Sequence, residues 1–500
     1  MCSQWVAQLG ELVFFAILVA QAALKPAMPP VIKNQPFNVF WAIPTLFCKD
    51  NFDVNMNLQV FNIIPNPFET QSGSTIAVFY PKELGYYPYF SEDGTSFYGG
   101  IPQKVNLSEH LRKSAGDIAD AVTLWRSEGL AVIDWEGWRP QWDRNWGSRI
   151  IYKNHSLAFT RHHHPDWAET KVRTVAQQEF ENAGRSFMNI TLTLALEMRP
   201  KRLWGFYLYP DCYNYDYRIN PEFYTGTCPD DEIFRNDQLM WLWEKSAALY
   251  PSIYLSKILK SNLNALKFVH FRVREALRVA EMATKDYALP VFIFSRPFYL
   301  QSIDVLSEED LVHTIGESAA LGAAGIILWG GYEYSHTKET CLSVQQTVHG
   351  LLGPYVLNVT SAAKLCSQSL CNSHGRCVRK TPESSFYLHM PEDSRKNYVT
   401  NKGFNFVISP KSKLKTIMNM KNGFVCHCYY GWHGESCRSH SPNLQKNKAP
   451  ATGFNSAVIV GIALFVILMN YFPIPYYSSI FSIKTLKRRK HYLSLISSLF

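Results

Sequence analysis

The segment Leu130-Ala-Val-Ile-Asp134-Trp135-Glu136-Gly-Trp138-Arg139-Pro140 carries the sharpest chemical signal in the chain. An apolar run ends in two acids separated by one residue. In a strand, side chains alternate, so Asp134 and Glu136 point to the same face. Carboxyls that close resist joint ionisation, and one pKa rises. A raised carboxyl is what a general acid near neutral pH requires. Trp135 and Trp138 flank the pair, and tryptophan suits stacking on a sugar ring. The bland alternative is that the two acids cap a strand end or pair with Arg139 and Arg144.

Other polar aromatics recur at expected strand ends. Trp204-Gly-Phe-Tyr207-Leu-Tyr209-Pro-Asp211-Cys212 places Tyr207 and Tyr209 on one face. Pro251-Ser-Ile-Tyr254 follows a helix, and Trp329 closes another apolar run. Each of these alone reads as core packing. Several together favour a site. The run His162-His163-His164 reads as a solvated loop, because consecutive residues do not converge on one ion. No Gly-rich phosphate loop, nucleophile-elbow serine or nucleic-acid motif is present, which argues against nucleotide chemistry and nucleic-acid partners.

The elements that must position these residues alternate. A helical pattern at Leu111, Ala115, Ile118, Ala119 and Val122 precedes a strand over 130–135. Strands follow at 203–209, 289–295 and 325–329, with helices at 237–249 and 308–321. Helix–strand alternation implies parallel strands with helical crossovers. A closed (β/α) barrel is the form expected at this length, with its chemistry at the C-terminal strand ends.

The formal charge of +9 over 500 residues suggests a polyanion partner at first sight. Seven bases and no acid fall in 441–500, and Glu11 is the lone charge of 1–24, so the body carries only about +3. Of eleven cysteines, ten lie beyond Cys2, and six crowd between Cys366 and Cys437. An even set in a chain with four N-glycosylation sequons, at Asn106, Asn154, Asn189 and Asn358, reads as an oxidised, extracytoplasmic framework. The six clustered cysteines, spaced C-x4-C-x5-C and C-x-C-x8-C around a long insertion at 378–425, suggest an epidermal-growth-factor-like module, with zinc as the competing reading.

At the ends, 12–23 reads as the apolar part of a secretory signal. The absence of a basic n-region leaves an uncleaved anchor open. The apolar run 457–472 followed by Lys484 to Lys490 suggests a type I membrane span, with a glycolipid anchor signal or a plain hydrophobic tail as alternatives. The expected organisation is a signal at 1–23, a barrel at 34–358, a cysteine-rich module at 359–440, a linker at 441–455, a span or anchor signal at 456–474 and a basic tail at 475–500.

The sequence resembles the animal hyaluronidases, including the sperm-surface and related vertebrate members, over 37–437. The markers are Phe37-x3-Trp41-x2-Pro44-Thr45, Leu84-Gly-Tyr-Tyr-Pro88, Gly99-Gly-Ile-Pro-Gln103, Asp134-Trp-Glu-x-Trp-Arg-Pro140, Tyr207-x-Tyr-Pro-Asp211-Cys212, Ala248-Leu-Tyr-Pro-Ser-Ile-Tyr254, and the stretch from Ile315 to Trp329. The resemblance implies a distorted (β/α) barrel with an epidermal-growth-factor-like module. It implies the disulfides Cys48–Cys341, Cys212–Cys228, Cys366–Cys377, Cys371–Cys426 and Cys428–Cys437. The implied reaction is endo-hydrolysis of β-1,4 bonds between N-acetylglucosamine and glucuronate in hyaluronan, retaining and assisted by the substrate's own acetamido oxygen, without metal or organic cofactor. Glu136 is the implied proton donor and base, and Asp134 the group that orients the acetamido. Tyr207, Tyr254, Trp329 and Asp211 are the implied substrate-binding set. Chondroitin is an alternative polymer, and a cell-surface adhesion protein an alternative role. Two positions stand out. The family usually has Asn where this chain has Ala42, and Gly137 is expected to loosen the strand end.

Overall fold

The computed structural model describes residues 24–391, 397–400, 403–406 and 409–441. The signal at 1–23, the linker beyond Ser441, the apolar run 456–474 and the tail 475–500 lie outside the described residues. Among the described residues, no helix is long and apolar enough to cross a membrane.

Short strands of β-branched and aromatic residues form the barrel wall. They are β1 (Asn38–Ala42), β2 (Ile63–Pro65), β3 (Ile76–Phe79), β4 (Gly129–Ile133), β5 (Arg202–Phe206), β6 (Phe292–Ser295) and β7 (Gly325–Trp329). All pairings among them are parallel. β3, β4 and β5 form one run, and β2, β1, β7 and β6 the other. Bridges Tyr207–Tyr250, Leu249–Val291 and Ser252–Phe294 join β5 to β6 through an irregular strand at 249–252. Between β2 and β3 a side chain takes the place of a ladder. Asn66, only 1% exposed, donates from Nδ2 to the Ile76 carbonyl at 3.2 Å, and its Oδ1 accepts from the Ile76 and Thr75 N–H groups at 2.8 and 3.1 Å. Asn66→Ala strands those buried donors. We expect it to cost about 2–4 kcal/mol, measured as a fall in the denaturant midpoint at constant slope.

Inward residues alternate along each strand. Phe40, Ala42, Ile76, Val78, Leu130, Val132, Tyr250, Phe292, Phe294 and Ile327 fill the barrel as one buried cluster. Arg202 plugs the N-terminal end, donating to the Leu130 and Thr75 carbonyls at 3.1 and 3.3 Å. The C-terminal end is left open. Outside the wall pack α1 (Leu107–Ala121), α2 (Ile150–His163), the long α3 (Glu169–Met198) and α4 (Leu263–Ala283). Asn106 caps α1, accepting from the Glu109 N–H. The expected helix at 308–321 forms with a π-turn at Val312–Gly316 in its middle. The expected helix at 237–249 is instead two short ones, Asp230–Gln238 and Met240–Trp243, and the chain is already in the barrel wall at Leu249.

Helix Gly353–Leu370 runs across the expected domain boundary at 358/359 and carries Cys366 into the C-terminal module. There Gly375–Arg379 pairs antiparallel with Phe424–Cys428, and the insertion between them holds the hairpin Asn397–Thr400 with Gly403–Phe406 and the helix Pro410–Gly423. The disulfides are Cys48–Cys341, Cys212–Cys228, Cys366–Cys377, Cys371–Cys426 and Cys428–Cys437. Cys48–Cys341 ties the segment after β1 to the segment after β7 across 293 residues of sequence. Arg379 also fastens the module to the barrel, with its two terminal nitrogens 3.0 and 2.7 Å from the buried carboxylate of Glu317.

Of the sequons, Asn106 and Asn154 stand exposed and Asn189 is half-buried. Asn358 is 4% exposed, and its Oδ1 accepts the Met390 N–H at 2.8 Å, leaving Nδ2 as the atom a glycan would take. His162 and His163 form the exposed last turn of α2 rather than a loop.

Candidate active site

The acid pair leaves β4 at the open mouth. The Asp134 N–H donates to the Phe79 carbonyl at 2.9 Å, one last rung before the strands part. Glu136 stands two residues on. Its main chain is fixed because Arg139 and Arg149 each donate to the Glu136 carbonyl at 3.1 Å. Its side chain is 51% exposed, with Arg139 Nη2 3.7 Å from the carboxylate. Gly137 is required here. A Cβ would come within 2.9 Å of the Tyr152 hydroxyl and 3.0 Å of the Tyr87 hydroxyl, and Tyr87 accepts the next N–H, that of Trp138, at 3.1 Å. The expected loosening at Gly137 is therefore a close packing.

The two carboxyls differ in surroundings. Burial pushes Asp134 up to about 8; the nearby Glu136 charge adds to this and Arg139 opposes it. Asp134 Oδ1 is buried with no hydrogen-bond partner. Ala42, fully buried at the end of β1, brings no polar atom to the mouth.

Beside the acids, from the neighbouring β5 onward, stand the tyrosines. The Tyr207 N–H donates to the Ile133 carbonyl at 2.9 Å, and its hydroxyl faces Ser252 and Tyr254, whose ring centre lies 6.4 Å from its own. Burial raises both the Tyr207 and Tyr254 hydroxyls far above their usual value, so they are neutral donors at physiological pH. Tyr254 stacks on Trp329 with ring centres 6.1 Å apart, and Trp329 Nε1 donates to the Tyr80 hydroxyl at 3.0 Å. Asp134, Glu136, Tyr207, Tyr254 and Trp329 thus gather at one mouth.

Three sequence expectations are corrected. Trp135 and Trp138 are 5% and 2% exposed and stack on Tyr87 between barrel and helices, so neither can meet a sugar. Tyr209 does not share a face with Tyr207. Leu208 adopts φ +75°, which breaks the alternation, and Tyr209 turns outward onto Trp243. Asp211 is not free to bind substrate. Its carboxylate lies 3.3 Å from Arg272 and 3.2 Å from Arg144 and accepts the Cys212 and Tyr213 N–H groups. Burial opposes its charge, but the two arginines hold its pKa below the ordinary carboxylate value. It braces the loop after β5. Sequence reading missed Ser252, Tyr80 and Arg296. Ser252 sat unremarked two residues before Tyr254. Arg296 directly follows β6, so the strand-end rule could have found it.

A parallel barrel with a carboxyl pair and ordered tyrosines and tryptophan at its C-terminal mouth is the layout of a glycoside hydrolase. The chain belongs to the hyaluronidase family, whose model matches residues 26–441. It is 49% identical over 417 residues to a hyaluronidase of Crotalus adamanteus, covering 83% of this chain and 93% of the relative. It is 48% identical over 421 residues to hyaluronidase-1 of Bitis arietans, with the same coverage. Bee venom hyaluronidase in complex with a hyaluronic acid tetramer superposes with a TM-score of 0.59 at 33% identity, covering 64% of this chain and 98% of that one.

Proposed function

We propose that this chain hydrolyses hyaluronan internally at the β-1,4 bond from N-acetylglucosamine to glucuronate, with retention. The observation that carries this reading is the division of the acid pair. One carboxyl is mostly buried, which raises its pKa to about 8, one stands in the open, and the Tyr207 and Tyr254 rings lie 6.4 Å apart at the same mouth.

Burial keeps a proton on Asp134 while the site is empty. An acetamido N–H arriving at Asp134 favours the carboxylate there, and the proton passes to Glu136. Glu136 then protonates the glycosidic oxygen while the acetamido oxygen attacks the anomeric carbon. Asp134, now anionic, balances the positive charge that develops on the acetamido group. Tyr207 orients that group by a hydrogen bond, and Tyr254 with Trp329 shapes the sugar subsite. Glu136 afterwards takes a proton from water as the cyclic intermediate opens.

The test is chain shortening of hyaluronan by the purified protein, with the first product's anomer read by NMR. Shortening with the β-anomer formed first is the expected result, and unchanged chain length with a folded protein overturns the reading. Faster initial cleavage of chondroitin than of hyaluronan would move the substrate assignment to that polymer. A second expectation concerns pH. Loss of the Asp134 proton should make kcat/KM fall about tenfold per unit above pH 8, measured as the alkaline limb of the rate profile. The tether at 456–474 is a separate proposal, tested by detergent against phospholipase release from cells.

A further inference from the structure

Arg296 leaves the end of β6 into the mouth beside the aromatic pair, yet nothing in the proposed proton path uses it. Its guanidinium lies 5.1 Å from the Trp329 ring centre, 5.7 Å from Tyr254 and 5.3 Å from Tyr334. The side chain is 9% exposed, so its charge is largely cut off from water. A buried guanidinium is costly unless its N–H groups are taken up. Here one nitrogen carries the bonds. Nη2 donates to Glu333 Oε1 at 2.8 Å and to the Tyr334 hydroxyl at 2.7 Å, while Nε is buried without a partner. The planar fork that matches a carboxylate bidentately is thus only half used.

The acid that half-fills it is built to be displaced. Glu333 is 52% exposed and sits in the short helical turn Tyr332–Tyr334 at the rim, four residues after Trp329. Its carboxylate folds back over Gly331, where a Cβ would stand 2.2 Å from Glu333 Oε2. The glycine therefore makes room for the carboxylate to reach Arg296. A carboxylate from the chain occupies a cation beside the sugar subsite, and it has open solvent to retreat into.

We propose that Arg296 is the residue that reads the uronate carboxylate of the polymer, and that Glu333 holds its place in the empty site. This rests on the hyaluronan reading above. A uronate entering beside Trp329 takes the fork of Arg296, including Nε, and Glu333 swings out. Every second sugar of the polymer carries such a carboxylate, so the contact separates it from neutral chains that share the acetamido group.

The test compares hyaluronan with carboxyl-reduced hyaluronan, whose glucuronates have become glucose. The unaltered protein should prefer native hyaluronan by about tenfold or more in kcat/KM, through KM. Arg296→Gln should bring that ratio close to one, and Arg296→Lys, which keeps the charge but not the fork, should leave it in between. Glu333→Gln should lower KM for native hyaluronan about two- to fivefold and leave KM for the reduced polymer unmoved. A ratio kept in folded Arg296→Gln, or a Glu333→Gln variant whose KM for native hyaluronan is unchanged or raised, overturns the proposal. If Arg296→Gln does not fold, the lysine and Glu333→Gln variants decide. Failure of the unaltered protein to cleave native hyaluronan would instead strike the functional reading itself.

Discussion

Glu136→Gln is expected to lower hyaluronan cleavage by about three orders of magnitude while leaving the melting temperature within about one degree of the parent. The rate effect follows from proton bookkeeping. The amide cannot carry the proton to the glycosidic oxygen, nor take one from water afterwards. Neither Asp134, mostly buried and turned to the barrel interior, nor any tyrosine can replace it, because burial raises the Tyr207 and Tyr254 hydroxyls far above their usual value and makes them weaker acids still. The small stability effect follows from exposure. The Glu136 side chain is half in solvent, its contact with Arg139 is a loose 3.7 Å, and the main-chain carbonyl that Arg139 and Arg149 hold is untouched by the change. An exposed ion pair of this kind contributes at most about 1 kcal/mol. KM should move little, since the acid acts on the bond in the transition state. Rate on defined oligosaccharides and thermal melts of the same preparations check both halves. A variant that retains a tenth of the parent rate would remove Glu136 from the role of acid.

The inward side of Asp134 was legible in the sequence because a strand's alternation is a local rule, whereas Glu136 lies beyond the strand's end at Ile133. Leu130, Val132 and Asp134 point inward for one geometric reason, and the strand 325–329 was readable to the residue from its uninterrupted apolar run. What alternation could not show is where the rule stops. At Trp135 and Trp138 the chain has left the strand, and the aromatic stack of Tyr87 and Phe187 on the outer side captures both rings. At Leu208 a left-handed residue reverses the expected side for Tyr209. Asp211 entered the substrate-binding set only through the family resemblance. Its arginine partners, Arg144 and Arg272, come from 67 and 61 residues away and carry no signal in the local text. The same holds for Asn66, whose carboxamide stands in for a missing ladder between strands that sequence alone could not number. Ala42 was noticed as a departure from the family pattern. In the structure it is fully buried at the end of β1 and brings no polar atom to the mouth.

Asp134→Asn should make the protein more stable and much less active, with the stability gain depending on pH. The folded-state pKa of Asp134 is raised, to about 8 from an ordinary 3.8, chiefly by burial. Below about pH 4 the carboxyl is neutral in both folded and unfolded chains, and Asp and Asn should be near equal. As pH rises, the unfolded chain ionises first, and the folded chain, holding the proton, loses stability relative to it. Each unit between the two pKa values costs about 1.4 kcal/mol, so the parent forgoes on the order of 5 kcal/mol by pH 8. Above that the folded group ionises too, and the difference levels off. Asn never ionises and escapes this loss. Paired thermal melts from pH 4 to 9 should therefore diverge through the window and then run parallel, and a constant gap across all pH would show that burial of the ionised form is not what strains the site. Cleavage should fall about a hundredfold or more at every pH, because the amide cannot become the anion that balances the acetamido charge. A carboxyl placed where water is scarce destabilises the resting fold, and the same dryness strengthens its charge when the reaction needs it.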